Sequence, residues 1–128
     1  MKLSRLVGLN SVVYLVFGVL CILKPLRLAD LYGAAFGPGS MLICELFGVF
    51  ALGFGLVLWR MRAVPREVLQ LLAWPLAVAN FVGFAVYLLA LSFYAVNPLG
   101  WALVAVQCGL GLAYLACAFD RPAVAAKV

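Results

Sequence analysis

Apolar residues run almost unbroken through four stretches of this chain, at 6–23, 41–59, 68–91 and 99–119, and polar residues gather in the short segments between them. Each stretch is close to the ~20 residues with which a helix crosses a ~30 Å hydrocarbon layer. Such runs can span lipid only as helices, because backbone N–H and C=O groups left unpaired there are too costly. The period-two alternation of a membrane β-barrel is absent. The pattern predicts an all-α fold: an integral membrane four-helix bundle that takes up residues 1–128 as one transmembrane domain. Loops this short make consecutive spans antiparallel neighbours, so the expected order is up-down-up-down.

The connections carry their own signals. In the segment from Lys24 to Gly33, Pro25 suits the first position of a helix and Gly33 its stop, which predicts a short interfacial helix. Gly37-Pro38-Gly39 breaks the chain, and Ser40 is placed to cap the second span. Pro65 separates the second and third spans, and Asn97-Pro98 opens the fourth. Pro75, inside the third span, leaves the Leu71 carbonyl without its helical partner and predicts a kink. Lys2 and Arg5 ahead of the first span resemble the start of a signal peptide. The apolar run that follows exceeds the usual ~7–15 residues, and it holds Asn10, Ser11 and Tyr14, so a retained span is expected.

Composition agrees with the pattern. Hydrophobic residues make up 69% of the chain and charged residues 10%, where a soluble domain has roughly 45–50% and ~25%. The net charge of +5 is not a nucleic-acid signal, because the cations flank the spans. Lys2, Arg5, Arg60, Arg62, Arg66, Arg121 and Lys127 fall in segments that share one side of an up-down bundle; only Lys24 and Arg27 fall on the other. An excess of Lys and Arg marks the cytoplasmic side, so both termini are expected there.

The chain has no histidine. That removes histidine-ligated haem, histidine-based catalysis and most zinc sites. Its four cysteines, Cys21, Cys44, Cys108 and Cys117, contain no CxxC pair. Cys108 and Cys117 stand ~13.5 Å apart along one helix, too far for a disulfide. Cys21 and Cys44 both lie near the outer ends of their spans, where they could approach each other. All four are read as small apolar fillers. No metal site and no cofactor are expected.

In lipid, apolar packing gives helices little reason to associate, so small and polar residues mark their interfaces. A helical wheel at ~100° per residue puts Asn10, Ser11, Tyr14, Gly18 and Cys21 on one face of the first span. Glu45, Gly48, Ala51 and Gly55 share a face of the second. Asn80, Gly83 and Tyr87 share one in the third, and Gln107, Gly111 and Tyr114 one in the fourth. A rise of ~1.5 Å per residue places Tyr14, Asn80 and Gln107 near the midplane. Asn10, Ser11 and Tyr114 form a second layer nearer the cytoplasm. Glu45 stands on the order of 20 Å from the border set by Trp59.

Glu45 is the only acidic residue inside a span, and an intramembrane carboxylate is a functional-site hypothesis by default. With Tyr14, Asn80 and Gln107 it forms the candidate ligand-binding or proton-binding set. Lys24 and Arg27 in the outer loop are its candidate partners, since Glu45 is about one turn inside that border and can snorkel to it. A further stripe on the fourth span, Ala105, Gly109, Ala113 and Cys117, is spaced by four and marks a close approach to a second partner, a neighbouring span or a second copy of the chain.

Leu31-Tyr32-Gly33, Leu46-Phe47-Gly48 and the glycine-rich run up to Trp59 resemble a group of small four-helix proteins of the bacterial inner membrane. The resemblance covers about the first half of the chain. It implies the fold and that location, and no chemistry. A looser similarity connects the chain to small multidrug transporters, which also have four short helices, one membrane glutamate and a small-residue stripe on the last helix. Here the glutamate is in the second span rather than the first, and the charge bias opposes insertion both ways round.

Three functional readings follow. The first is a non-enzymatic multi-pass membrane protein that binds lipid or a small hydrophobic ligand, or serves as an accessory subunit, alone or as a homo-oligomer or part of a larger membrane complex. The second is a proton-coupled exporter that uses Glu45. The third is a lipid-modifying enzyme, for which Glu45 with a tyrosine would supply acid–base chemistry; no catalytic set supports it.

Overall fold

The computed structural model describes residues 3–33, 35, 37–93 and 98–119. Lys2, Asn97, Arg121, Lys127 and the segment 122–128 lie outside the described residues. Among the described residues five helices follow one another: α1 (Leu3–Leu23), α2 (Pro25–Tyr32), α3 (Pro38–Met61), α4 (Arg66–Phe93) and α5 (Leu99–Phe119). All but α2 are long and apolar enough to cross a membrane, with stretches of mean hydropathy from 1.8 to 2.4.

The short helix α2 starts on Pro25 and stops on Gly33, whose φ of 69° turns the chain left-handed. The Gly33 N–H donates to the Ala29 and Asp30 carbonyls. Glycine adopts this conformation without the steric penalty other residues meet. Pro25, Leu28 and Ala29 are buried, while Leu26, Arg27, Asp30 and Leu31 are exposed. That spacing gives α2 one inward edge, which meets α1, α3 and α5.

The start of α3 differs from the sequence expectation. Gly37 is the N-cap and Pro38 the first helical residue, so Ser40 is already inside the helix and caps nothing. A fixed proline φ suits the first turn, where a missing N–H loses no bond. The turn from α3 to α4 is tight, with Arg62 N–H donating to the Leu58 carbonyl at 3.1 Å and Val64 N–H to the Met61 carbonyl at 3.0 Å. Pro75 is exposed, and α4 continues through it without a break.

The four long helices associate as two pairs. α1 packs along α3, and α4 packs along α5. Among the described residues α3 and α4 barely touch although they are consecutive; the pairs meet instead where α1 touches α4 and α5. The buried apolar core lies at the end that holds the α3–α4 turn. It joins Leu6 and Val7 of α1, Leu58 of α3, Leu69, Ala73 and Leu76 of α4, and Leu110 and Tyr114 of α5. At the opposite end α2 bridges the pairs.

Around this interior the surface is apolar. Phe50 and Leu71 are each 76% exposed, and Ile43, Trp74, Val82 and Leu89 are also exposed. In water such a surface would drive association. In a bilayer it is the face the acyl chains wet.

Candidate functional site

The α1/α3 seam is built on glycine. Gly18 meets α3 backbone to backbone: a Cβ there would stand 2.7 Å from the Leu52 nitrogen and 2.9 Å from the Gly48 carbonyl oxygen. A Cβ on Gly48 would stand 2.7 Å from the Cys21 Cβ, and one on Gly55 3.0 Å from the Leu15 nitrogen. The Ser11 hydroxyl donates to the Gly55 carbonyl at 2.7 Å. Beside it the Tyr14 ring stands edge-on to Phe54, with 5.0 Å between centroids. Cys21 and Cys44 are free thiols within hydrogen-bonding reach of each other across this seam.

Of the sequence-predicted residues, Asn10, Ser11 and Tyr114 do form a layer. Asn10 is fully buried, and its Nδ2 donates to the Tyr114 hydroxyl at 3.2 Å. That hydroxyl in turn donates to the Leu6 carbonyl at 3.5 Å, which ties α5 to α1. Ser11 ties α1 to α3. One turn of α1 thus holds both pairs in register.

Gln107 lies in the α4/α5 seam, and Asn80 stands near its level on α4. The Gln107 amide lies over Gly83, its Cδ 3.3 Å from where a Gly83 Cβ would be. Asn80 is one turn before Gly83, ~4.5 Å along α4, and 1% exposed. Its Nδ2 donates to the Leu76 carbonyl at 2.7 Å. Among the described residues three buried amide oxygens have no donor: Asn10 Oδ1, Asn80 Oδ1 and Gln107 Oε1. A buried acceptor left unpaired costs ~1–3 kcal/mol. Such atoms give the interior an appetite for N–H and O–H donors.

Glu45 does not join them. It is half-buried on α3, which packs on α1 and α2 and not along α4 or α5. Tyr14 sits level with Phe54, and Glu45 is nine residues from Phe54, ~13 Å of rise. Glu45 therefore stands level with the last turn of α1. Lys24 and Arg27 are exposed, and among the described residues no ion pair joins either to Glu45. The four candidates divide between the two pairs, Tyr14 and Glu45 on α1 and α3, Asn80 and Gln107 on α4 and α5.

The stripe on α5 is divided as well. Ala113 and Cys117 pack against the core of this chain. Ala105 and Gly109 are exposed, and a Cβ on Gly109 would meet nothing within 4 Å.

One feature escaped the sequence. An open-sided groove of about 580 Å³ runs between the first turns of α1 and the last turn of α3, lined among others by Ser4, Arg5, Leu9, Val12, Trp59 and Arg62. The Arg62 Cζ sits 3.4 Å from the centroid of the Trp59 ring. Its stem passes over Gly8, with Cδ 3.7 Å from where a Cβ there would stand. The signal was present as Trp59 and Arg62 three apart at the end of α3, opposite a glycine. Reading the arginines for orientation alone passed over it.

Comparison with protein-family models, with curated proteins and with solved structures finds no match to this chain. The fold itself defines a class, a multi-pass membrane protein with four candidate spans.

Proposed function

We propose that this chain is a non-enzymatic protein of the bacterial inner membrane, up-down-up-down with both termini cytoplasmic, that binds lipid or a small hydrophobic ligand in its α4/α5 seam. The observation that carries the reading is the unpartnered Gln107 Oε1 in this apolar seam, with a second unpartnered acceptor, Asn80 Oδ1, one turn of α4 from the Gly83 that Gln107 covers. Buried amide groups without partners are rare in folded proteins and call for an explanation. A ligand that brings a hydroxyl or an amide N–H on an apolar body would satisfy them. The orientation rests on the bias of Lys and Arg toward the segments before α1, between α3 and α4, and after α5.

Native mass spectrometry of the chain extracted from bacterial membranes tests the binding role. The wild type is expected to carry a copurified adduct that Asn80→Leu/Gln107→Leu loses while its helicity is unchanged. The same adduct on both proteins, or on neither, would overturn the reading. The exporter reading needs Glu45 to share the ligand's surroundings, and its place on the other pair favours the binding role. Glu45→Gln is expected to leave the adduct in place.

A further inference from the structure

We propose that the groove between α1 and α3 seats the headgroup phosphate of an anionic phospholipid, with one acyl chain laid along Leu9 and Val12. This site is separate from the α4/α5 seam and does not depend on what that seam binds.

Two guanidinium groups, Arg5 on α1 and Arg62 at the C-cap of α3, line one groove, and among the described residues none that lines it is acidic. Arg62 is held in place rather than loose. It stacks on Trp59 at 3.4 Å, and the missing side chain of Gly8 gives its stem a channel. Stacking uses the face of the guanidinium and leaves its edge N–H groups free to fork onto phosphate oxygens. The side-chain entropy that an unconstrained arginine would lose on binding is already lost here.

The walls change character with depth. Ser4 and Arg5 are in the first turn of α1, and Leu9 and Val12 are one and two turns further along. Trp59 lies at the end of its span, the level at which tryptophan marks the boundary between headgroups and acyl chains. The first turn of α1 carries no acidic residue, so the positive end of its helix dipole adds to the two arginines. A charged end above an apolar slot matches a phospholipid. A free phosphate ion would use the arginines and leave Leu9 and Val12, 54% and 44% exposed, uncovered. Anionic lipid is also the species that basic residues at a membrane surface attract.

The test uses the full chain in detergent with phosphatidylglycerol and phosphatidylcholine in equal amounts, and native mass spectrometry to count bound lipid. The wild type is expected to retain phosphatidylglycerol preferentially. Arg5→Gln/Arg62→Gln should lower that preference by roughly ten-fold, with helicity by circular dichroism unchanged. Arg60→Gln/Arg66→Gln, which removes the same charge outside the groove, should keep it. Gly8→Phe should lower it too, because it fills the groove and leaves every charge in place. Asn80→Leu/Gln107→Leu should have no effect on it, which separates this site from the seam. Equal losses in the two arginine doubles would reduce the effect to general charge and overturn the proposal. Full preference in Gly8→Phe would do the same, as would displacement of the lipid by millimolar inorganic phosphate.

Discussion

The two helix pairs solve the same problem by opposite means. In α1/α3 the backbones touch, and Gly18, Gly48 and Gly55 are the places where they do. In α4/α5 side chains stand between the backbones: Gln107 lies over Gly83, and a Cβ on Gly111 would meet the Phe81 ring at 3.2 Å. The first arrangement gains dispersion contacts along two close cylinders and has little freedom to adjust. The second keeps side chains in the seam and leaves the Gln107 amide oxygen unpaired within it. A rigid pair and an adjustable one divide the work between holding shape and accepting a guest.

The largest expected effect follows from the rigid pair. Gly18→Val should destabilise the fold by about 3 kcal/mol, because the neighbouring atoms belong to the α3 backbone and cannot turn aside. Gly111→Val, which meets only a phenyl ring, should cost about 1 kcal/mol. Unfolding titrations in sodium dodecyl sulfate compare the two, and equal losses would erase the distinction.

A smaller effect belongs to the link between the pairs. A double-mutant cycle on Asn10→Leu and Tyr114→Phe should show a coupling of about 1 kcal/mol, within the range for hydrogen bonds between membrane helices. Zero coupling would leave the pairs joined by apolar packing alone.

Asn80→Leu should change stability by less than about 1 kcal/mol, since it removes an unsatisfied acceptor together with one bond to a carbonyl of its own helix. The same substitution should weaken ligand retention. A large loss of stability would make Asn80 structural and return the adjustable pair to the same category as the rigid one.

The smallest effects belong to glycines that touch nothing. Gly53→Ala and Gly109→Ala add a methyl group to open space and should stabilise their helices by up to ~1 kcal/mol. Thermal denaturation in detergent reads this. Destabilisation at Gly109 alone would reveal a second copy of the chain packed on the exposed half of the α5 stripe.

Much of this fold was legible in the pattern of residues, and the limits of that legibility have physical causes. The four long runs became α1, α3, α4 and α5, and Pro25 with Gly33 marked α2 to the residue. Ser40 misled because a proline at the first position outranks a serine two residues later. Ser4 and Arg5 extended α1 beyond its apolar run, since a polar first turn is free to reach the headgroups. The wheel placed Asn10, Ser11, Gly18 and Gly48 on inward faces, where they lie. It could not say which helix each face meets, because periodicity describes one helix at a time. Thus Glu45 and Asn80, both on polar stripes, stand on different pairs. The Arg62–Trp59 stack also required knowing that α1 brings Gly8 alongside.

The sequence distances of these contacts set an order of assembly. Every glycine contact between α1 and α3 with its C-cap is made within the first 62 residues. During synthesis that pair can therefore close before α4 and α5 exist. The bond from Asn10 to Tyr114 joins residues 104 positions apart and must wait for nearly the whole chain. Until then Asn10 is a polar group in an unfinished membrane domain, the kind of exposed mark by which a quality-control protease could recognise a chain stalled halfway.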